Sequence, residues 1–181
     1  MDRRMGLFRL IGSDLRAKAA LVYGGVSARN ILKTLCTDGT FAMLTYRLMQ
    51  ASQRRRLVPF SMLFNKTNAV FGRCIIGRRA DFGPEFVLIH SDGVVINSAV
   101  RGGSRVFVEH QVTIGAEKND APVLGDNVFV GAGARVLGAV RIGSNVKIGA
   151  NAVVLNDVPD GATAVGVPAR VAEGRAEGDR A

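Results

Sequence analysis

Residues 121–154 read APVLGDNVFVGAGARVLGAVRIGSNVKIGANAVV, and steps of six through them land on Leu124, Val130, Val136, Ile142, Ile148 and Val154. Glycine recurs one place after several of these, at 125, 131, 143 and 149, and small or branched apolar residues four places after, at Val128, Ala134, Val140, Val146 and Ala152. Moving outward, the same phase holds at Ile76, Phe82 and Leu88, and, after two extra residues, at Ile96, Gly102, Val108 and Ile114. A four-residue excess then separates Ile114 from Leu124, and twelve of the thirteen positions are apolar. Neither a helix nor an ordinary sheet has a period of six. A triangular coil of three short strands does, with one inward aliphatic per side and a small residue at each corner. Successive coils stack about 4.8 Å apart through strand hydrogen bonds. The sequence therefore predicts a mainly β protein, a parallel β-helix over 72–160, with loops extruded near 92–97 and 115–123.

The chain has 181 residues, enough for one ordinary domain and an appendage. Most of its 22 glycines lie between Gly72 and Gly166, as repeated tight corners require. Cys36 and Cys74 form neither a disulfide framework nor a metal-type pair. The opening LFRLIG run is short, is interrupted by Arg9 and precedes no small-residue cleavage pattern, which argues against a signal peptide. No segment offers about 20 consecutive apolar residues, so no spanning helix is expected, and a reducing cytoplasm is the expected location.

Charge divides the chain. Residues 1–79 hold 15 Lys/Arg against three Asp, a net of +12, whereas residues 80–181 hold 9 against 12 acids, a net of −3. The acidic second half argues against a nucleic-acid partner. The basic first half, with Arg54–Arg56 and Arg78–Arg79, reads as a solvated helical surface or as a face for anionic lipid at the inner membrane. Residues 1–71 read as an α-helical region. Ser27 caps one helix, Thr37 or Asp38 caps a second, and a third runs near 61–71. In the second, Phe41, Leu44, Tyr46, Leu48 and Met49 form the expected packing stripe, ending before Pro59.

The ordered set IHSDGVVIN (89–97), VTIG (112–115), the 121–154 run and ATAVGVPARV (162–171) resembles the left-handed β-helix acyltransferases, within them the serine acetyltransferase group. The left-handed sense comes from that resemblance. So do acetyl-CoA as co-substrate, a homotrimer with sites between subunits, and a GVPAR-like tail, within 161–181, lining the donor groove. The short helical part looks closer to relatives that acetylate sugar hydroxyls in polysaccharide assembly, giving a glycan or small hydroxyl-bearing acceptor.

Acetyl transfer from a thioester to a hydroxyl needs a general base, donors for the oxyanion and fixed geometry. His90 and His110 are the two imidazoles, and His90 matches the family's catalytic histidine. Both stand two places after an inward residue, which predicts the same edge of adjacent coils. His110 then contacts acceptor or acetyl-CoA, or merely holds the corner. The family's aspartates beside and fifteen residues before the histidine correspond to Ile89 and Ile75, so Asp92 is the nearest carboxylate able to orient His90. The Arg-His pair that holds the serine carboxylate corresponds to Asp120–Ala121, which disfavours L-serine and favours a neutral polyol. L-serine remains the alternative acceptor, and a non-catalytic binding solenoid the second alternative. The resemblance assigns the donor to Gly115, Ala132, Gly133, Ala150 and Arg170. No metal is expected, since the zinc carbonic anhydrases that share the coil need three histidines.

Overall fold

The computed structural model describes residues 5–117 and 120–172. Three parallel sheets form the sides of a β-solenoid, and each contributes one short strand per coil. The first sheet stacks β1 (Ile75–Ile76), β4 (Val95–Ile96), β7 (Thr113–Gly115), β10 (Arg135–Leu137) and β13 (Val153–Val154). The second stacks β2 (Asp81–Phe82), β5 (Arg101–Gly102), β8 (Val123–Leu124) and β11 (Arg141–Ile142). The third stacks β3 (Val87–Leu88), β6 (Val106–Val108), β9 (Val128–Val130), β12 (Lys147–Ile148) and β14 (Thr163–Val165), and β15 (Arg170–Ala172) returns antiparallel along β14.

The six-residue phase is the register. Ile76, Ile96, Ile114, Val136 and Val154 pair in one column. Leu88, Val108, Val130, Ile148 and Ala164 pair in another. All thirteen inward positions are buried. The one glycine among them has a steric cause. A Cβ on Gly102 would lie 2.2 Å from Phe82 Cδ1, because the Phe82 ring leans over its neighbour in the column. That ring stacks on Phe86 at 4.3 Å and meets the edge of Tyr46.

Four helices precede the coil: α1 (Leu7–Tyr23), α2 (Ala28–Thr34), α3 (Thr40–Arg54) and α4 (Val58–Phe71). Ser27 caps α2 as expected, accepting from Asn30 N at 3.1 Å. The cap of α3 is Gly39 rather than Thr37 or Asp38. Gly39 has φ +74°, and a Cβ there would sit 2.4 Å from Leu88 O. Pro59 falls in the first turn of α4, so that helix begins at Val58.

The buried face of α3 also departs from the expected stripe. It consists of Ala42, Met43, Tyr46 and Met49 together with Thr45, Arg47, Gln50 and Ser52, while Phe41 is exposed. The reason lies in the first coil, whose strands have no preceding coil to pair with. Arg47 donates to Phe82 O and Gly83 O, Gln50 to Phe82 O, and Tyr46 to Ala80 O while accepting from Phe82 N. Asn65 donates to Ile76 O, Lys18 to Leu88 O, and Asp14 accepts from Phe86 N. Polar residues are buried because they replace the missing strand. Arg47 and Lys18 thus leave the solvated basic surface that composition suggested.

Gly102→Ala should destabilise the coil by about 1–3 kcal/mol through overpacking against Phe82. Adding Phe82→Leu should recover part of that loss in denaturant unfolding. Equal stability of Gly102→Ala and wild type would contradict the steric account.

Candidate active site

The corner between the third and first sheets stacks one residue per coil: His90, His110, Ala132 and Ala150, each two places beyond an inward residue. Left-handed backbone recurs just after it, at Gly93, Gln111, Gly133 and Asn151. Between His90 and Gly93 the first coil carries two extra residues, Ser91 and Asp92, which are the irregularity visible in the spacing. They push this corner outward and leave His90 exposed. The His90 and His110 rings meet edge to face with centroids 5.9 Å apart, as the phase required.

The orienting carboxylate comes from elsewhere. Asp38, in the turn between α2 and α3, places Oδ2 3.2 Å from His90 Nδ1. An Nδ1–H donated to Asp38 fixes the tautomer that leaves Nε2 able to accept a proton. Asp92, the expected partner, instead lies 2.8 Å from Arg73 Nε. The Asp38 turn is tied down from below. The fully buried Lys18 ammonium donates to Asp38 O and, at 2.8 Å, to Leu88 O two residues before His90. Burial pulls the Lys18 ammonium down to about 8, with the Asp38 charge opposing. Gly39 then packs its bare Cα against the same Leu88 carbonyl.

Together these form a cleft. Its polar wall holds Asp38, Arg73, His90, Ser91 and Asp92, and its apolar wall holds Leu35, Cys36, Phe41 and Phe71. Beyond His110, Ala132 is half-buried and Ala150 exposed on the same edge, with Gly133 buried between adjacent corners. A Cβ on Gly133 would fall 2.2 Å from Asn151 Oδ1. Gly115 is not brought to this edge within one subunit. It ends β7 at the opposite corner, where the loop carrying Asp120–Ala121 leaves the coil and is closed by a Glu117–Asp120 bridge. Residues 118–119 in that loop lie outside the described residues. Arg170 opens β15, exposed and paired with Val165, further along the third sheet. The expected tail over 161–181 is described only to residue 172.

The fold agrees with the relatives. The model for the bacterial transferase hexapeptide (six repeats) matches residues 121–156. Over 149 residues the chain is 39% identical to a serine acetyltransferase of Helicobacter pylori, covering 80% of this chain and 87% of that one. The chain belongs to the serine acetyltransferase family. It is a hexapeptide-repeat acyltransferase, also 33% identical to a Bacillus subtilis serine acetyltransferase over 80% of this chain and 69% of that protein. Among solved structures, the Neisseria gonorrhoeae serine acetyltransferase superposes with a TM-score of 0.84 at 29% identity, over 92% of this chain. A soybean serine acetyltransferase complexed with serine gives 0.83 at 32% identity, again over 92% of this chain. This chain spans 66% of the Neisseria enzyme and 69% of the soybean one. These relatives are serine acetyltransferases and lend no support to the expected closeness to polysaccharide enzymes.

Nothing in the sequence spacing pointed to Asp38, which lies 52 residues before His90 and read as a helix cap. Asp38→Asn should lower kcat about tenfold or more while leaving the acetyl-CoA KM unchanged, because it acts through the His90 ring. Asp92→Asn should spare kcat. The reverse outcome in steady-state kinetics would return the orienting role to Asp92.

Proposed function

We propose that this enzyme transfers the acetyl group of acetyl-CoA to the hydroxyl of L-serine, directly, with His90 as general base. The observation that carries the reading is the exposed His90 imidazole, held through Nδ1 by Asp38, in a cleft that also presents a cation, Arg73. In the reaction His90 Nε2 takes the hydroxyl proton as the oxygen attacks the thioester carbon. The tetrahedral intermediate collapses with cleavage of the C–S bond, and the imidazolium returns the proton to the departing CoA sulfur. His110, one coil on, faces the same groove and contacts acceptor or thioester.

The acceptor assignment draws on two supports. The relatives named above are serine acetyltransferases, and solved neighbours include complexes with CoA and with serine. The cleft holds a cation beside a carboxylate, Arg73 2.8 Å from Asp92, and an amino acid's carboxylate and ammonium can each take one of them in place of that pair. A sugar hydroxyl is the second reading. It is favoured by Asp120–Ala121, which stand where the family's Arg-His clamp is expected. The donor reading runs the acetyl-CoA arm along the His110–Ala132–Ala150 edge, where small side chains let it approach the backbone, toward Arg170.

The acceptor test is acetyl-CoA turnover with L-serine, simple sugars and nucleotide- or lipid-linked sugars. Saturable O-acetylserine formation supports the first reading, with Arg73→Gln raising the serine KM about tenfold. Turnover with a sugar alone overturns it. His90→Ala should lower kcat roughly 10²–10⁴-fold with acetyl-CoA affinity retained, since its exposed ring leaves no core cavity. Cys36 gives an independent readout of cleft occupancy. It is exposed on the cleft wall, whereas burial pushes the Cys74 thiol up to about 12, so L-serine should slow alkylation at Cys36 alone.

A threefold assembly belongs to the same reading. The outer face of the first sheet exposes Ile75 and Val95, which suit burial against a neighbouring coil. Sedimentation equilibrium should give three times the chain mass. An active monomer would refute the assembly.

A further inference from the structure

α4 is inside out. The residues it buries are Ser61 and Asn68, at 0% and 1% exposure, while Phe60, Leu63, Val70 and Phe71 stand 54%, 58%, 67% and 73% exposed. The cause of the polar inner face is local. Asn68 accepts from Thr45 Oγ1 and donates to Ala42 O, and Ser61 donates to Gln53, so hydrogen bonding holds the helix on α3. Phe64 packs partly buried on the core, and the outward face carries most of the helix's other large apolar side chains. At 1.5 Å per residue its 14 residues make a strip about 21 Å long. A chain alone in water rarely exposes so many large apolar side chains along one helix.

The charges around the strip identify its occupant. Arg54, Arg55 and Arg56 lead directly into α4, and Lys66 lies on its outer face. Only Arg54 spends its charge on an acid within the described residues, Asp81 at 2.9 Å. No acid lies between Asp38 and Asp81 in the sequence, so the Arg54–Phe60 end of the strip is cationic, whereas its Phe71 end borders the cleft that holds Asp38 and Asp92. A twofold contact between copies, strip to strip, would oppose arginine to arginine. An anionic lipid surface meets both features at once, its headgroups pairing with the arginines and its acyl boundary receiving Phe60, Leu63 and Val70.

We propose that α4, with Arg54–Arg56, docks this enzyme peripherally on a lipid surface carrying anionic headgroups. No helix among the described residues is long and apolar enough to cross a membrane, so attachment is by the face of a helix rather than by a span. The proposal does not depend on the identity of the acceptor.

The test is cosedimentation of the full chain with phosphatidylglycerol or phosphatidylcholine vesicles at low and high salt, beside sedimentation velocity without lipid. Retention on phosphatidylglycerol, at least tenfold weaker on phosphatidylcholine and reversed by salt, is expected. Phe60→Ser with Leu63→Ser should weaken retention tenfold or more while leaving acetyl-CoA turnover in solution unchanged. Both residues are more than half exposed, so the variant keeps the fold. Arg55→Glu with Arg56→Glu should abolish the preference for anionic lipid. Equal recovery with both vesicle types overturns the proposal. So does a serine variant that binds vesicles normally but sediments as a smaller species, which would make the strip a contact between copies.

Discussion

The first coil of a parallel solenoid has strand backbone on one side with nothing to pair against, and the helical region is organised around that deficit. Arg47 shows how completely it is met. Its five N–H groups go to both Asp14 oxygens, Gln50 Oε1, Phe82 O and Gly83 O, so the buried guanidinium has no unpaired donor. Burial pushes the Asp14 carboxyl above its ordinary value, and the Arg47 hydrogen bonds and charge pull it back. Such a pair contributes little net stability compared with an apolar contact of the same shape. What it fixes is position, locking α1 and α3 in one register on the coil.

That register is what the site inherits. Lys18 on α1 reaches the Leu88 carbonyl because β3 lacks a preceding strand, and the same ammonium holds the Asp38 carbonyl. The residue that closes the coil end therefore delivers the carboxylate that faces His90. The helical cap thereby supplies His90 with a carboxylate, where the positions at which the resemblance expects aspartates hold Ile75 and Ile89.

The sequence carried the coil because each inward residue repeats the same physical demand at a recurring spacing, and twelve of the thirteen positions state it independently. It carried the juxtaposition of His90 and His110 for the same reason, since equal phase means equal edge. It did not carry Asp38, Lys18 or the polar inner face of α3. Those depend on where helices land against a coil end, and no periodicity encodes that. Tyr46 and Met49 were legible as packing residues by their apolarity. Arg47 and Gln50 were not, because their burial follows from carbonyls more than thirty residues away. The bulge that exposes His90 sat in plain view as two surplus residues, though only the structure shows that they are Ser91 and Asp92.

The stacked corner has a consequence for reach. From His90 each further row, through His110, Ala132 and Ala150, advances by one strand spacing of about 4.8 Å. The edge is thus a ruler graduated in whole coils. A ligand lying along it cannot be accommodated by gradual lengthening, since half a coil would turn every inward side chain out of phase with its column. Reach changes only in discrete increments, by inserting or deleting an entire turn, while the chemistry at the His90 end stays where the helical cap holds it. The length of the edge and the geometry around His90 are in this way mechanically separable within one chain.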